Sequence, residues 1–144
     1  MTNWPRQPDS RTCGPSSVVV AENLHGPWPD FDEDVLAMHR RLTGLRDRHG
    51  RWQLPWPQMF GSPPWAVARE LGGRVRRYRR EEVLAALPTP VPVYLGTRWL
   101  PRHVVLVLDE RDGEPLVYNP ALGGGVVLMS SSRWKHRWWA VLPR

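Results

Sequence analysis

The chain has 144 residues, a length that suits one domain around one hydrophobic core. Apolar residues make up 41%, yet no run approaches the roughly 20 apolar residues of a membrane-spanning helix, so no membrane partner is expected. The charge is basic: 20 Lys and Arg, all arginine except Lys135, against 14 Asp and Glu, and the single cysteine, Cys13, excludes an internal disulfide.

In chain order, the opening Met1-Thr2-Asn3-Trp4-Pro5-Arg6-Gln7 lacks the apolar run of a signal peptide. A cytoplasmic protein, or one exported by a route that needs no signal peptide, is therefore expected. Residues 14–24 read as a helix, with Pro15 in its first turn and Gly26 as its stop, which puts Cys13 at the helix mouth. The acids between Asp30 and Asp34 precede Val35-Leu36-Ala37-Met38, as the start of a second helix should. Residues 45–61 show no period and hold Trp52, Trp56 and several prolines. A loop this long in a compact domain is commonly functional, and its expected role is to shape specificity. Ser62 is expected to cap a third helix over residues 63–71, stopped by Gly72-Gly73.

Beyond that helix the period becomes strand-like. Residues 74–78 read as a short strand and residues 81–87 as a short helix. Residues 91–95 alternate, with Pro90 and Pro92 marking an edge or an entry. Residues 104–108 are continuously apolar, the sign of a central strand covered on both faces. Asp112-Gly113 signals a hairpin, with residues 116–118 as the returning strand. Residues 126–129 form another strand, Ser132 is read as the cap of a short tryptophan-rich helix, and residues 140–142 close the chain as a strand. The expected architecture is α+β: one domain over residues 1–144, N-terminal helices packed on an antiparallel sheet.

Arg74-Val75-Arg76-Arg77-Tyr78-Arg79-Arg80 is the densest charge cluster. No nucleic-acid motif accompanies it and Glu81-Glu82 follow, so it reads as a solvated strand and turn; nucleic acid is not the expected partner. Gly123-Gly124-Gly125 is a turn, because no helix and no Gly-Lys-Ser/Thr follows. One cysteine and no paired histidines at ligand spacing point to no metal and no cofactor.

Cys13 is where chemistry concentrates. Free N–H groups and the positive dipole end at a helix mouth are expected to stabilise a thiolate and lower its pKa. A thiol nucleophile also needs a base, and of the five histidines only His103 opens a buried central strand. Asn119 lies across the Asp-Gly hairpin from His103, where its carbonyl oxygen can orient the imidazole. Asp109, six residues along the same strand, is about 20 Å away and too far. Gln7 can offer a side-chain N–H, beside the Cys13 N–H, to a developing oxyanion. The tryptophans read as core and cleft wall.

These residues carry a resemblance. The segments Gln7…Thr12-Cys13-Gly14-Pro15, Pro92-Val93…Arg102-His103-Val104-Val105-Leu106-Val107 and Tyr118-Asn119-Pro120-Ala121 resemble the C39-like branch of the papain-like cysteine peptidases. The tail Ser131-Ser132-Arg133-Trp134…Trp138 is similar to that family's closing segment, and only residues 45–61 match nothing in it. The resemblance implies a papain-like fold, a catalytic Cys13, His103 and Asn119 with Gln7 at the oxyanion, and a peptide or protein substrate cleaved through a thioester. Where many such proteins carry Asp, this chain has Asn119, whose amide oxygen can orient the ring without supplying a negative charge. Open beside hydrolysis stand acyl transfer or a transglutaminase-like reaction on the same residues, and a non-catalytic module that binds peptide. The setting is likewise open between a free-standing processing peptidase and a toxin or effector domain, and the oligomeric state is not legible.

Overall fold

The computed structural model describes residues 3–144, so the first two residues of the opening segment lie outside it. Helices α1 (Cys13–Glu22), α2 (Phe31–Thr43) and α3 (Pro64–Leu71) come first. They are followed by β1 (Gly73–Arg77), α4 (Arg80–Ala86), β2 (Val91–Gly96), β3 (Pro101–Arg111), β4 (Glu114–Tyr118), β5 (Val127–Leu128) and β6 (His136–Pro143). The strands form one antiparallel sheet in the order β1-β6-β2-β3-β4-β5. Among the described residues no helix is long and apolar enough to cross a membrane.

Alternation along the strands divides the core. Tyr94, Val104 and Val141 pack with Val18, Met38, Leu42 and Val67 of the three N-terminal helices. Their neighbours Val93, Leu95, Val105, Val107, Ala140 and Leu142 face the other way and pack with Val83 of α4 and Met129. Leu106 and Tyr118 join Val20, Phe31 and Val35 on the α1–α2 side. Both faces are covered, which explains why residues 104–108 read as an unbroken apolar run. Each fully buried Val or Leu here stabilises the fold by about 1.5–3 kcal/mol.

Three expectations need correction. Pro90 and Pro92 mark the entry of β2 and not an edge, because the strand begins at Val91 and lies in the interior, between β6 and β3. Its proline is tolerated because pairing with β6 begins only at Val93, one residue past Pro92. The tryptophan-rich segment is strand, not helix: Ser132 Oγ accepts the Trp134 N–H at 3.1 Å, closing a short turn, and the chain enters β6. Paired on both sides, β6 satisfies its backbone in the sheet, and its bulky aromatics suit a pleated surface. Ser62 does not cap α3. The capping position is Pro63, and the buried Ser62 hydroxyl has no partner.

The hairpin came out as its sequence indicated. Asp112 and Gly113 have φ of 51° and 78°, the left-handed pair of a type I′ turn, whose twist matches the flanking strands. That turn sets Arg111 opposite Glu114, and a bulge at Leu108 then shifts the β3–β4 register by one residue, so that Leu106 faces Tyr118.

Candidate active site

Cys13 is the first residue of α1. The turn before it is held by its own side chains: Asp9 Oδ1 accepts the Arg11 N–H at 2.8 Å, and Thr12 Oγ1 donates to the Asp9 carbonyl at 3.2 Å. Inside the helix, Ser17 Oγ donates to the Cys13 carbonyl at 2.8 Å. Gly14 is required by packing. A Cβ there would sit 3.1 Å from Ser62 Cβ, so α3's leading segment closes directly over α1's first turn.

The thiol is 8% exposed, and its electrostatics reverse the expectation of an activated thiolate. Burial pushes its pKa up to about 11, opposed by N–H groups of Val104, Gly14 and Cys13 itself. Loss of hydration outweighs the helix end here. Burial likewise holds His103 below the usual imidazole range, against the bond to Asn119, which favours the charged ring. Each group rests neutral, Cys13 as a thiol and His103 as an imidazole, and no hydrogen bond joins the two.

His103 and Asn119 meet as expected. His103 Nε2 lies 2.8 Å from Asn119 Oδ1. By the Leu106–Tyr118 register Asn119 faces Val105, so the imidazole reaches it diagonally across the hairpin. The same oxygen accepts the Ala121 N–H at 3.1 Å. An amide turned the other way would set NH₂ against that N–H, so the oxygen must face the ring. Nε2 therefore carries the ring proton and Nδ1 is the free base.

Gln7 is beside this group but turned from it. Its backbone N–H donates to the Pro120 carbonyl at 2.8 Å, next to Asn119. Its side-chain Nε2 donates to the Asp9 carbonyl, while its buried Oε1 has no partner. The whole N-terminal strap follows residues 118–124, through the Trp4–Gly124 bridge and the Tyr118 hydroxyl bond to the Pro5 carbonyl.

Tyr94 was not anticipated. Buried on β2, it donates to the Ser62 carbonyl at 2.8 Å and lies close enough to Cys13 for their charges to interact. The one available signal was a polar hydroxyl on an otherwise apolar strand. The segment 45–61 is tethered, not loose. Gln53 Nε2 donates to the carbonyls of Arg41 and Gly44 at 2.8 and 3.1 Å, Arg69 holds the Trp52 carbonyl, and Trp65 holds that of Leu54. It leaves Trp52, Met59 and Phe60 more than half exposed and ends at Gly61-Ser62 beside α1. Two surface hollows, of about 420 and 400 Å³, lie around Trp28 and Met38 and around His49 and Arg69. Neither touches Cys13 or His103, both of which are buried, so neither hollow is the reaction cleft.

The architecture is that of the C39 peptidase domains. No protein-family model matches the chain, and no curated protein matches its sequence. Among solved structures it is similar to the peptidase domain of Streptococcus ComA, a bi-functional ABC transporter involved in a quorum-sensing pathway. That match has 18% identity and a TM-score of 0.57 over all of both chains. It is also similar to a double-glycine-motif protease from an AMS/PCAT transporter, in complex with the leader peptide. There the identity is 15% and the TM-score 0.57, over 96% of this chain and 89% of the other.

Proposed function

We propose that this protein is a cysteine peptidase or amidase in which Cys13 is the nucleophile, His103 the base and Asn119 the residue that orients the base. One observation carries the reading most: the Nε2–H···Oδ1 bond of 2.8 Å, fixed in sense by Ala121, leaves Nδ1 basic. On this reading His103 Nδ1 takes the thiol proton while sulfur bonds to the substrate carbonyl carbon. Cys13 N–H and the Gln7 amide, once swung from Asp9, steady the oxyanion. The tetrahedral intermediate then breaks its C–N bond, the leaving amine takes the proton from His103, and a thioester remains. Water, deprotonated by the same nitrogen, cleaves that thioester to the acid and the free thiol.

Desolvation disfavours both ions of the resting pair, so proton transfer accompanies attack and does not precede it. The neighbour bound to a leader peptide supports a peptide substrate, and its double-glycine motif identifies the first sequence to try. The test is a fluorogenic peptide ending in Gly-Gly before an aminocoumarin, with intact-mass detection of the acyl-enzyme. Release of the amine by wild type and none by Cys13→Ala is expected. No release and no acyl adduct, across this peptide and a broad library, would leave a binding module as the better description.

A further inference from the structure

We infer that the free edge of β1 is a docking strip for an extended, acidic segment of a partner protein, added to the sheet as a further strand. This goes beyond the catalytic reading and does not rest on it. Strand β1 pairs only with β6, so its other side carries no strand. The Tyr78 N–H donates to the Trp138 carbonyl at 3.1 Å, which marks that pair as hydrogen-bonded. Alternate pairs back along the ladder, Arg76–Ala140 and Arg74–Leu142, are then hydrogen-bonded too. The N–H and C=O groups of Val75 and Arg77 consequently point outward. The outward Gly73 carbonyl is already taken by Arg144 Nε at 3.2 Å, which sets one end of the open stretch.

Charge identifies the occupant. Arg74, Arg76 and Arg77 are exposed, and among the described residues no carboxylate lies within ion-pair distance of them. Glu81 and Glu82 turn away into α4, where Glu82 pairs with Arg79. Arg74 and Arg76 share one face of the strand, while Val75 lies on the other, against the helix-side core. A strand laid on this edge would therefore meet Arg74 and Arg76 on one face, and Val75 followed by Arg77 on the other. Directly opposed unlike charges stabilise such pairs. The fitting segment alternates acidic and apolar residues; backbone bonds supply affinity and the alternation supplies register.

The experiment uses the full-length Cys13→Ala protein, so that no probe is cleaved. The probe is a fluorescein-labelled peptide, Glu-Val-Glu-Val-Glu-Val-Glu, followed by anisotropy and by amide hydrogen exchange. It should bind at least about tenfold more tightly than the block isomer Glu-Glu-Glu-Glu-Val-Val-Val. The Val75 and Arg77 amides should become protected, while those of Arg74 and Arg76 are protected throughout. Combining Arg74→Glu and Arg76→Glu should weaken binding at least about tenfold. Val75→Pro, which removes an outward donor along with part of the valine's packing, should weaken it without breaking a β6 ladder bond, and Val75→Ala, which keeps the donor, controls for the lost packing. Binding unchanged in Val75→Pro would overturn strand addition. So would equal binding of the block peptide, oligouridylate or phosphatidylserine vesicles without amide protection, which would reveal plain attraction of polyanions. Absence of binding would leave the arginines as guards against edge-to-edge aggregation and would also end the proposal.

Discussion

Two hydrogen bonds converge on the Asn119 side-chain oxygen, and the chemistry of His103 depends on both. Replacing Asn119 with alanine frees the ring and should lower kcat about a hundredfold, the lower range of what a positioned general base contributes. Asn119→Asp should keep the geometry and add a negative charge that favours imidazolium, moving the acid limb of the pH–rate profile upward. An unchanged acid limb would argue that residue 119 does not touch the base. Gln7 has two competing roles. As an oxyanion donor, its loss in Gln7→Ala should lower kcat about a hundredfold with KM and Cys13 alkylation unchanged. If its bond to Asp9 were its whole role, the variant would lose about 1 kcal/mol of stability and turn over normally. The thiol itself offers a third measurement. With its pKa near 11, Cys13 in the unliganded protein should react with iodoacetamide at a rate that climbs with pH well past 9. A plateau below pH 7 would mean a preformed thiolate.

Between elements, a close fit that bears on the site is α1 against the segment leading into α3. Gly14→Ala would place a Cβ 3.1 Å from Ser62 Cβ, so one of the two segments must shift. Overpacking of this kind costs about 1–3 kcal/mol, and here it would also displace the Cys13 turn. The double variant Gly14→Ala with Ser62→Gly removes the clash and should recover much of both thermal stability and activity. Additive losses in that cycle would place the damage elsewhere. The segment 45–61 can be tested in the same way. Gln53 is buried and satisfies carbonyls at the end of α2, so Gln53→Ala strands them and should cost about 1–3 kcal/mol.

For the molecule as a whole, the buried thiol ties stability to pH. The folded chain holds the Cys13 proton more tightly than the unfolded chain, whose cysteine titrates near about 8.5. Below that pH both states are protonated and the stabilisation is complete. As pH rises toward 11 the unfolded state loses its proton first, so stability falls, by about 3 kcal/mol across the window. Tyr94 and Tyr118, whose hydroxyls burial also pushes up, act in the same direction. Denaturant unfolding of wild type and Cys13→Ser, compared between pH 8 and 11, cancels the tyrosines. The two should converge as pH rises; parallel curves would show that the thiol is not desolvated in the folded protein.

What the sequence determined by itself was local and periodic. The unbroken apolar run at 104–108 required a strand covered on both sides, and Asp112-Gly113 required a turn that returns the chain. Together these placed Asn119 within reach of His103. The face was not legible: the turn's own register would set Asn119 opposite Leu106, and only the bulge at Leu108 shifts it to Val105, on the same face as His103. Sequence could not say that β6 would enter the middle of the sheet, since tryptophan and arginine in alternation fit an exposed helix as well as a strand until both neighbours are known. It could not rank burial against the helix end at Cys13, because desolvation is set by Val104, Tyr94 and Ser62, residues some fifty to ninety positions away that only folding assembles. The side-chain direction of Gln7 was equally out of reach. A glutamine near a thiol has several nearby partners; its backbone is tied to Pro120 of the sheet side, and its side chain took the carbonyl of the locally held turn at Asp9.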